Sequence, residues 1–248
     1  MNHNTAATFR RLRCCDIITS QTSLEMDVQL LDLKEKIINI MMEEGAFEAG
    51  CFKDSFKNFN NGISFSVKLS SAVIAEIDDK PTYAYFHHYR SVNALIDRIL
   101  LKAGIFLEKN GYRYFPIGAS QTVGGHDTYA GLYSHKRGAV LAGLGTVGKN
   151  GLFQSERWGT GVRLGTLFTD LDLHAANDPK PSKCGACRRC VQACPAMCLS
   201  GEAFDIAQPE KSLVDRKSCS DYMKKAFQKI GRGSVCGICM SVCPYTQK

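Results

Sequence analysis

Two short runs of cysteine near the end of the chain are the residues best suited to chemistry. The first run spans residues 184–195 and reads Cys-Gly-Ala-Cys-Arg-Arg-Cys-Val-Gln-Ala-Cys-Pro, and the second spans 236–244 and reads Cys-Gly-Ile-Cys-Met-Ser-Val-Cys-Pro. Gaps of two residues let a tight loop direct three thiolates toward one point. Cys194 follows Cys190 by about 6 Å of helical rise and points away from that point. The spacing therefore predicts two neighbouring metal sites.

The first run has the spacing of bacterial two-cluster ferredoxins, in which three cysteines bind one 4Fe-4S cube and the fourth binds the other. The second run lacks its first cysteine, because Gly233 occupies that position, so one ligand must come from elsewhere. Cys219 and Cys198 are the candidates, and we favour Cys219 because Cys198 follows Pro195 too closely to turn back toward either cube. The predicted ligands are Cys184, Cys187, Cys190 and Cys243 for one cube, and Cys194, Cys219, Cys236 and Cys239 for the other.

Zinc is the alternative metal, because paired Cys-x2-Cys units also bind tetrahedral zinc. Two nested triplets that each end in Cys-Pro favour cubes instead. A disulfide framework is not expected, since no secretory signal is present and clustered cysteines in an intracellular chain indicate metal binding. Cys198 and Cys51 are then predicted to be small buried hydrophobic residues.

Length and composition set the outline of the fold. The chain has 248 residues, of which 44% are hydrophobic, so it can bury a full core. No apolar run reaches the length of a membrane span, and we expect a cytoplasmic protein without a membrane partner. We predict a disordered leader at 1–25, an α/β cofactor or substrate domain at 26–175 and a ferredoxin-like domain at 176–248.

Positive charge is concentrated in the predicted ferredoxin-like domain. The chain carries a net charge of +7, and residues 180–248 contain 12 Lys or Arg against 5 Asp or Glu. A basic surface suits an acidic partner or nucleic acid. Two cubes that each carry about −2 would offset part of this charge. Nucleic-acid binding is therefore a weaker expectation than docking of an acidic protein.

Hydrophobic periodicity predicts the elements that must position the cysteines. The pattern indicates a helix over 28–44, a second helix over 89–109 and a turn at 78–81. It predicts strands over 46–52, 65–69, 72–77, 112–117 and 162–169. Helices interleaved with strands favour a layered α/β domain, followed by the small ferredoxin-like domain with its two clusters.

A glycine-rich region precedes the cysteines, with 12 of the 22 glycines between residues 118 and 165. Residues 143–150 satisfy G-x-G-x-x-G and nearly satisfy the P-loop pattern, but Asn150 replaces the magnesium-binding Ser or Thr. The segment neither follows an early strand nor opens a long helix, so nucleotide binding is not favoured. Several polar side chains lie among the glycines and indicate a pocket for a polar ligand. These are His126, Asp127, His135, Lys136 and Lys149, whereas the pair His87 and His88 is predicted to be structural.

The region 134–151, the segment 162–170 and the two cysteine runs together resemble the epoxyqueuosine reductase family, in its short branch. The resemblance implies two 4Fe-4S clusters that pass electrons to a cobalamin in the α/β domain, supplied by a donor such as a ferredoxin or flavodoxin. It also agrees with the assignment of Cys219. The candidate cofactor contacts are Ser134, His135, Lys136, Gly143, Gly145 and Lys149.

Departures from the family pattern bear on the substrate. Tyr129 stands at the position of the family's proton-donating aspartate, and Thr146 stands where tryptophan is usual. The larger members also continue into a helical-repeat region after the clusters. These differences weigh against tRNA as the substrate and also weaken the expectation of cobalamin. A small molecule and a corrinoid remain the candidate partners.

The expected function is an iron-sulfur oxidoreductase whose cubes relay single electrons to a cofactor or substrate in the pocket. Candidates for a proton donor are Asp127, Tyr129 and His135, and no catalytic residue is assigned. The alternative is an electron-transfer protein that reduces a partner, such as a corrinoid protein, and has no substrate of its own. A zinc protein that binds nucleic acid is a third interpretation.

Overall fold

A computed structural model describes residues 14–123, 129–208 and 212–246, with side chains from residue 28 onward. Seven helices and six strands lie in these ranges. In chain order they are α1 (Cys14–Glu43), β1 (Glu48–Phe56), β2 (Phe59–Lys68), α2 (Ser71–Ala75), α3 (Tyr83–Lys109), β3 (Tyr114–Ile117), α4 (His135–Leu141), β4 (Gly145–Val147), β5 (Phe153–Ser155), β6 (Val162–Thr169), α5 (Arg189–Ala193), α6 (Arg216–Phe227) and α7 (Ile238–Ser241).

Four strands form one antiparallel sheet in the order β1-β2-β6-β3, and β4 and β5 form a separate antiparallel pair. The long strands β2 and β6 pair at the centre, with Ile63 opposite Leu167. Both faces of the sheet are covered, so residues 62–67 of β2 are all buried, including Ser64 and Ser66. Helices α1 and α3 pack on one face, and an aromatic cluster around Phe52 and Phe168 fills the other, toward α4.

Helix α3 supplies the largest apolar stripe of the core. Val92, Ile96, Ile99 and Leu107 recur at helical spacing and are buried against the sheet. The helix begins at Tyr83, earlier than its apolar pattern predicted, because the Thr82 hydroxyl accepts a hydrogen bond from the Tyr85 amide and caps the first turn.

The predicted strand over 72–77 is wrong. The chain forms the short helix α2 there, because the Ser70 hydroxyl accepts the amide of Val73 and caps it. A run of a few apolar residues fits a strand or a helical turn equally well, so only the cap distinguishes them. His88 supports this turn, since its Nε2 accepts a hydrogen bond from the Ser70 amide at 2.9 Å.

Helix α1 ends at Glu43, as the pattern predicted, but it begins at Cys14. It therefore crosses the boundary at residue 25 that composition suggested. From Leu33 onward the helix contributes buried side chains, including Ile37 and Met41, to the core beneath the sheet.

The cysteine-rich segment packs directly onto this core. Four apolar residues of the segment join the same buried cluster as Ile37 and Ile96, and they are Phe227, Val235, Ile238 and Met240. Among the described residues, no helix is both long and apolar enough to cross a membrane.

Candidate metal centres and an adjoining cavity

The first cysteine set lines one small cavity. Cys184, Cys187 and Cys190 come from the loop that enters α5, and Cys243 follows α7. The loop closes through a hydrogen bond from the Cys187 amide to the Cys184 carbonyl at 2.9 Å. Four thiols that face one space from two chain segments form a suitable ligand set for a cube.

The glycine-rich block holds both cysteine runs in place. Lys149 donates from its amide to the Cys184 sulfur at 3.4 Å and from its Nζ to the Gly185 carbonyl at 2.6 Å. Asn150 donates from Nδ2 to the Cys239 carbonyl at 3.1 Å. The Gly-Lys-Asn sequence that resembles a P-loop therefore contacts the metal-binding loops instead of a phosphate. Hydrogen bonds to a cluster sulfur also tune its reduction potential.

The second set contains Cys194 at the end of α5, Cys219 in the first turn of α6, and Cys236 and Cys239 around the start of α7. Asp215 fixes the start of α6 by accepting the Ser218 amide at 3.0 Å. Burial raises the pKa of Cys236 to about 11, with smaller contributions from Cys219 and Cys194.

Burial also raises the pKa of Cys239, and the thiols that add to the effect are Cys236, Cys219, Cys194 and Cys190. Cys190 belongs to the first set, so the two sets adjoin. Thiols with raised pKa values stay protonated on their own and need a cationic metal to become thiolates.

Cys198 lies beside the second set. The prediction that Pro195 would keep it away from both cubes is therefore not met. Its sulfur is 3.4 Å from that of Cys194, and it also forms a hydrogen bond with the Cys219 thiol. The chain turns back after Pro195 because Met197 adopts a φ of +49°, and the Asp215 amide then donates to the Cys198 carbonyl. Five thiols thus cluster where a cube takes four. In the described parts of the chain, no three or more His, Cys, Asp or Glu side chains are placed to hold a single metal ion.

A second cavity, of about 150 Å³, lies between α4, β4 and the start of α6. Residues 204–206 and 212–214, which lie between the two cysteine runs, contribute to its walls. Its polar lining consists of Ser134, Lys136, Arg137, Ser212 and Arg216, and its apolar lining of Val147, Phe204, Ile206, Leu213 and Val214. Val214 also packs against the cluster formed by Cys190, Cys198 and Leu199, and Cys194, Cys219 and Cys239 pack against the same cluster.

Two of the six candidate cofactor contacts, Ser134 and Lys136, line this cavity. Lys136 extends from α4 and donates from Nζ to the Gly151 carbonyl at 2.7 Å. Burial, with a smaller contribution from Arg216, lowers the pKa of Lys136 to about 8.

The other four candidates make internal contacts. His135 is half-buried, and its two ring nitrogens lie 2.9 Å from the Thr166 hydroxyl and 3.1 Å from the Gly118 carbonyl, so Nε2 donates to the carbonyl. Burial lowers the pKa of His135, which favours the neutral ring. Gly143 adjoins Asp178, Gly145 packs on the Gln154 carbonyl, and Lys149 binds the cysteine loop.

Of the remaining proton-donor candidates, Tyr129 and Asp127, the structure describes only Tyr129. Tyr129 has a φ of +43°, and its carbonyl accepts a hydrogen bond from Arg216 at 3.4 Å. His126 and Asp127 lie outside the described residues. The sequence analysis did not identify Arg137 and Arg216 as cavity residues. The only feature that could have indicated them was a positive charge next to an apolar segment.

Asp54 holds Arg137 at the edge of this cavity. The Arg137 Nε lies 2.5 Å from Asp54 Oδ2, and the Tyr133 hydroxyl donates to the same carboxylate at 2.8 Å. Burial alone would raise the pKa of Asp54, but hydrogen bonds from Arg137 and Tyr133 outweigh it and keep the pKa below its usual value. The positive charge of Arg137 is therefore already balanced within the protein.

Comparison with known proteins agrees with this geometry. A family model described as a 4Fe-4S double cluster binding domain matches residues 183–246. The chain is 35% identical over 126 residues to an epoxyqueuosine reductase of Gloeobacter violaceus, which covers 46% of this chain and 36% of that protein. It is 31% identical over 161 residues to a tetrachloroethene reductive dehalogenase of Desulfitobacterium hafniense, covering 60% and 27% respectively.

Solved structures share the fold. An epoxyqueuosine reductase solved with a tRNA-Tyr stem loop superposes with a TM-score of 0.60 at 16% identity, covering 88% of this chain and 66% of that one. A catabolic reductive dehalogenase in complex with 3-bromo-4-hydroxybenzoic acid gives a TM-score of 0.64 at 15% identity, covering 84% and 31%. The chain spans about a third of the length of the curated relatives it matches. The sequence relatives, the fold and the cluster-binding domain together make the chain similar to epoxyqueuosine reductases and reductive dehalogenases.

Proposed function

We propose that the protein is an iron-sulfur reductase in which two 4Fe-4S cubes pass single electrons to a molecule bound in the 150 Å³ cavity. The observation that carries this proposal is Val214, which lines the cavity and packs against the same buried cluster as Cys194, Cys219 and Cys239. The first set adjoins the second through Cys190 and Cys239. Electrons that enter at the first cube therefore have a short route to the cavity.

The proposed ligands are the two sets predicted from spacing. The first cube takes Cys184, Cys187, Cys190 and Cys243, which line one space, and the second takes Cys194, Cys219, Cys236 and Cys239. Cys198 touches Cys194 and Cys219 from outside the second set. The domain division at residue 176 stays part of this proposal, with the cluster-binding segment packed on the α/β core.

Cobalamin is the cofactor that the family resemblance implies, and the 150 Å³ cavity is too small to hold it. Drug-sized ligands occupy pockets of about 300–1,000 Å³, and a corrinoid is larger than those ligands. The cavity here holds about 150 Å³, and Phe204 and Ile206 pack over α4 where more space would be needed. The same small volume favours a small molecule over a tRNA base as the substrate.

Metal content tests the proposal. Protein purified without oxygen from cells supplied with cobalamin should contain about eight irons per chain, four for each cube. Its reduced form should show the spin coupling of two adjacent cubes in electron paramagnetic resonance. Zinc in place of iron would overturn the proposal, and stoichiometric cobalt would show that the protein binds a corrinoid, contrary to the size argument.

An exposed basic loop favours the alternative function, transfer of electrons to or from a protein partner. Lys183, Arg188 and Arg189 are exposed around the first cysteine set. An open depression lined by Arg189, Gln192, Ala193, Val242 and Pro244 lies next to Cys190 and Cys243. An acidic ferredoxin or flavodoxin would dock here by charge complementarity.

Salt dependence is the expected signature of this docking. The second-order rate of cluster reduction by a flavodoxin should fall at least tenfold between about 0.05 and 0.5 M salt, because added ions screen the basic loop. Arg189→Gln should slow the reaction at low salt, and Lys109→Gln, an exposed change at the end of α3, should not. Stopped-flow absorbance measures both. If the rate depended neither on salt nor on Arg189, docking at this surface would be contradicted.

A further inference from the structure

We propose that the 150 Å³ cavity binds a small organic anion, namely a carboxylate attached to a compact apolar body. The inference deepens the proposed function, since the role of this anion as electron acceptor depends on that function. Binding itself does not depend on turnover and can be measured separately.

The charges that line the cavity select an anion. Its described lining residues include Lys136, Arg137 and Arg216 but no Asp or Glu. Asp54 already balances Arg137. Lys136 and Arg216 donate only to backbone carbonyls, of Gly151 and Tyr129, and neither pairs with a carboxylate of the described residues. Two positive charges therefore face the cavity without a negative partner there.

Without a ligand, burying the Lys136 ammonium group costs free energy. A cation withdrawn from water needs a charge partner or it tends to lose its proton, which is why the pKa of Lys136 falls to about 8. A carboxylate next to Nζ would restore the charged form. Ser134 adds a hydroxyl to the polar part of the lining.

The apolar part of the lining selects an apolar body. Val147, Phe204, Ile206, Leu213 and Val214 belong to one apolar cluster. An apolar protein cavity of about 150 Å³ is large enough to hold benzene. A ligand that combines a carboxylate with a body of about this size would match both parts of the lining, whereas inorganic phosphate would leave the apolar part uncovered.

Benzoate is a suitable probe, because it has both parts. We expect isothermal titration of the cluster-loaded full chain to show benzoate binding at least tenfold more tightly than benzyl alcohol, which lacks the charge. Benzoate should also bind at least tenfold more tightly than phosphate, which lacks the apolar body. Equal affinity for benzoate and benzyl alcohol, preference for phosphate, or no binding of benzoate would each overturn the proposal.

Matched variants locate the binding. Lys136→Met keeps the length of the side chain and should weaken benzoate binding at least tenfold, and Lys225→Met, an exposed change on α6, should leave it unchanged. Arg216→Gln changes an exposed residue at the cavity mouth and serves as a second test if Lys136→Met does not fold. Unchanged affinity in both cavity variants would overturn the site.

The pH profile gives a further readout. The groups that face Lys136 are Ser134 and Arg137 of the α4 region, Ser212 between the two cysteine runs, and Arg216 of α6, so only Lys136 titrates near neutral pH. Benzoate affinity should fall as pH rises through about 8 in the parent protein and stay flat in Lys136→Met. A protein with eight irons that does not bind benzoate would contradict the anion site but not the proposed reductase function. A protein that binds benzoate but contains no iron would contradict the reductase function but not the anion site.

Discussion

Replacing Cys219 with alanine is expected to halve the iron content, from about eight to about four irons per chain, because the second cube loses a ligand. Cys219 faces Cys194, Cys236 and Cys239 from the first turn of α6. Burial raises the pKa values of Cys219, Cys236 and Cys239. The first cube, which draws on other chain segments, should remain. Iron analysis and the paramagnetic resonance signal of a single cube measure the result.

Cys198→Ala is the matched control and should keep about eight irons. Cys198 contacts two members of the second set from the turn after Pro195, and it is more deeply buried than the four proposed ligands. The reverse pattern, with iron lost in Cys198→Ala and retained in Cys219→Ala, would show that Cys198 is the fourth ligand. If both single variants retained eight irons, the double variant should fall to four, and either thiol would then serve.

Gly159→Ala is expected to destabilise the protein by about 4 kcal/mol, within the range of the largest single-residue effects. Gly159 has a φ of +64°, and a Cβ there would lie 1.6 Å from the Tyr245 carbonyl oxygen. The substitution must therefore displace the segment that follows Cys243. The free energy of unfolding should decrease in urea denaturation, and the first cube should lose iron because Cys243 moves with Tyr245.

Gly111→Ala separates the two causes of this effect. Gly111 has a φ of +84°, but a Cβ there would meet no atom within 4 Å. Its cost should be the conformational preference alone, about 1–2 kcal/mol. A Gly159→Ala variant no less stable than Gly111→Ala, with full iron content, would contradict the proposed contact.

The cysteine sets and the main helices were predictable because each depends on local spacing. Three cysteines at gaps of two residues define a loop whatever surrounds it, and the apolar stripe of α3 repeats over several turns. The residues 72–77 were misassigned because a short apolar run has no period of its own, and the Ser70 cap determined the structure. Local signals of this kind fail when they are only a few residues long.

The cavity was only partly predictable, because its walls come from distant parts of the chain. Ser134 and Lys136 lay in a recognisable block, but Phe204, Ile206 and Val214 are isolated apolar residues between the cysteine runs. Nothing in their spacing indicates that these residues pack against α4. The proximity of Cys198 to the second set depends on the left-handed conformation of Met197, which its sequence neighbours do not indicate.

The shared core has a consequence for attempts to dissect the protein. Phe227, Val235, Ile238 and Met240 are buried against α1, α3 and the sheet, so a fragment that begins near residue 180 would expose all four to water. Such a fragment would tend to aggregate, and the remaining N-terminal part would lose one side of its interior. The cluster-binding segment is thus an integral wall of the fold and not a removable electron carrier, and truncation would report on folding before it reported on electron transfer.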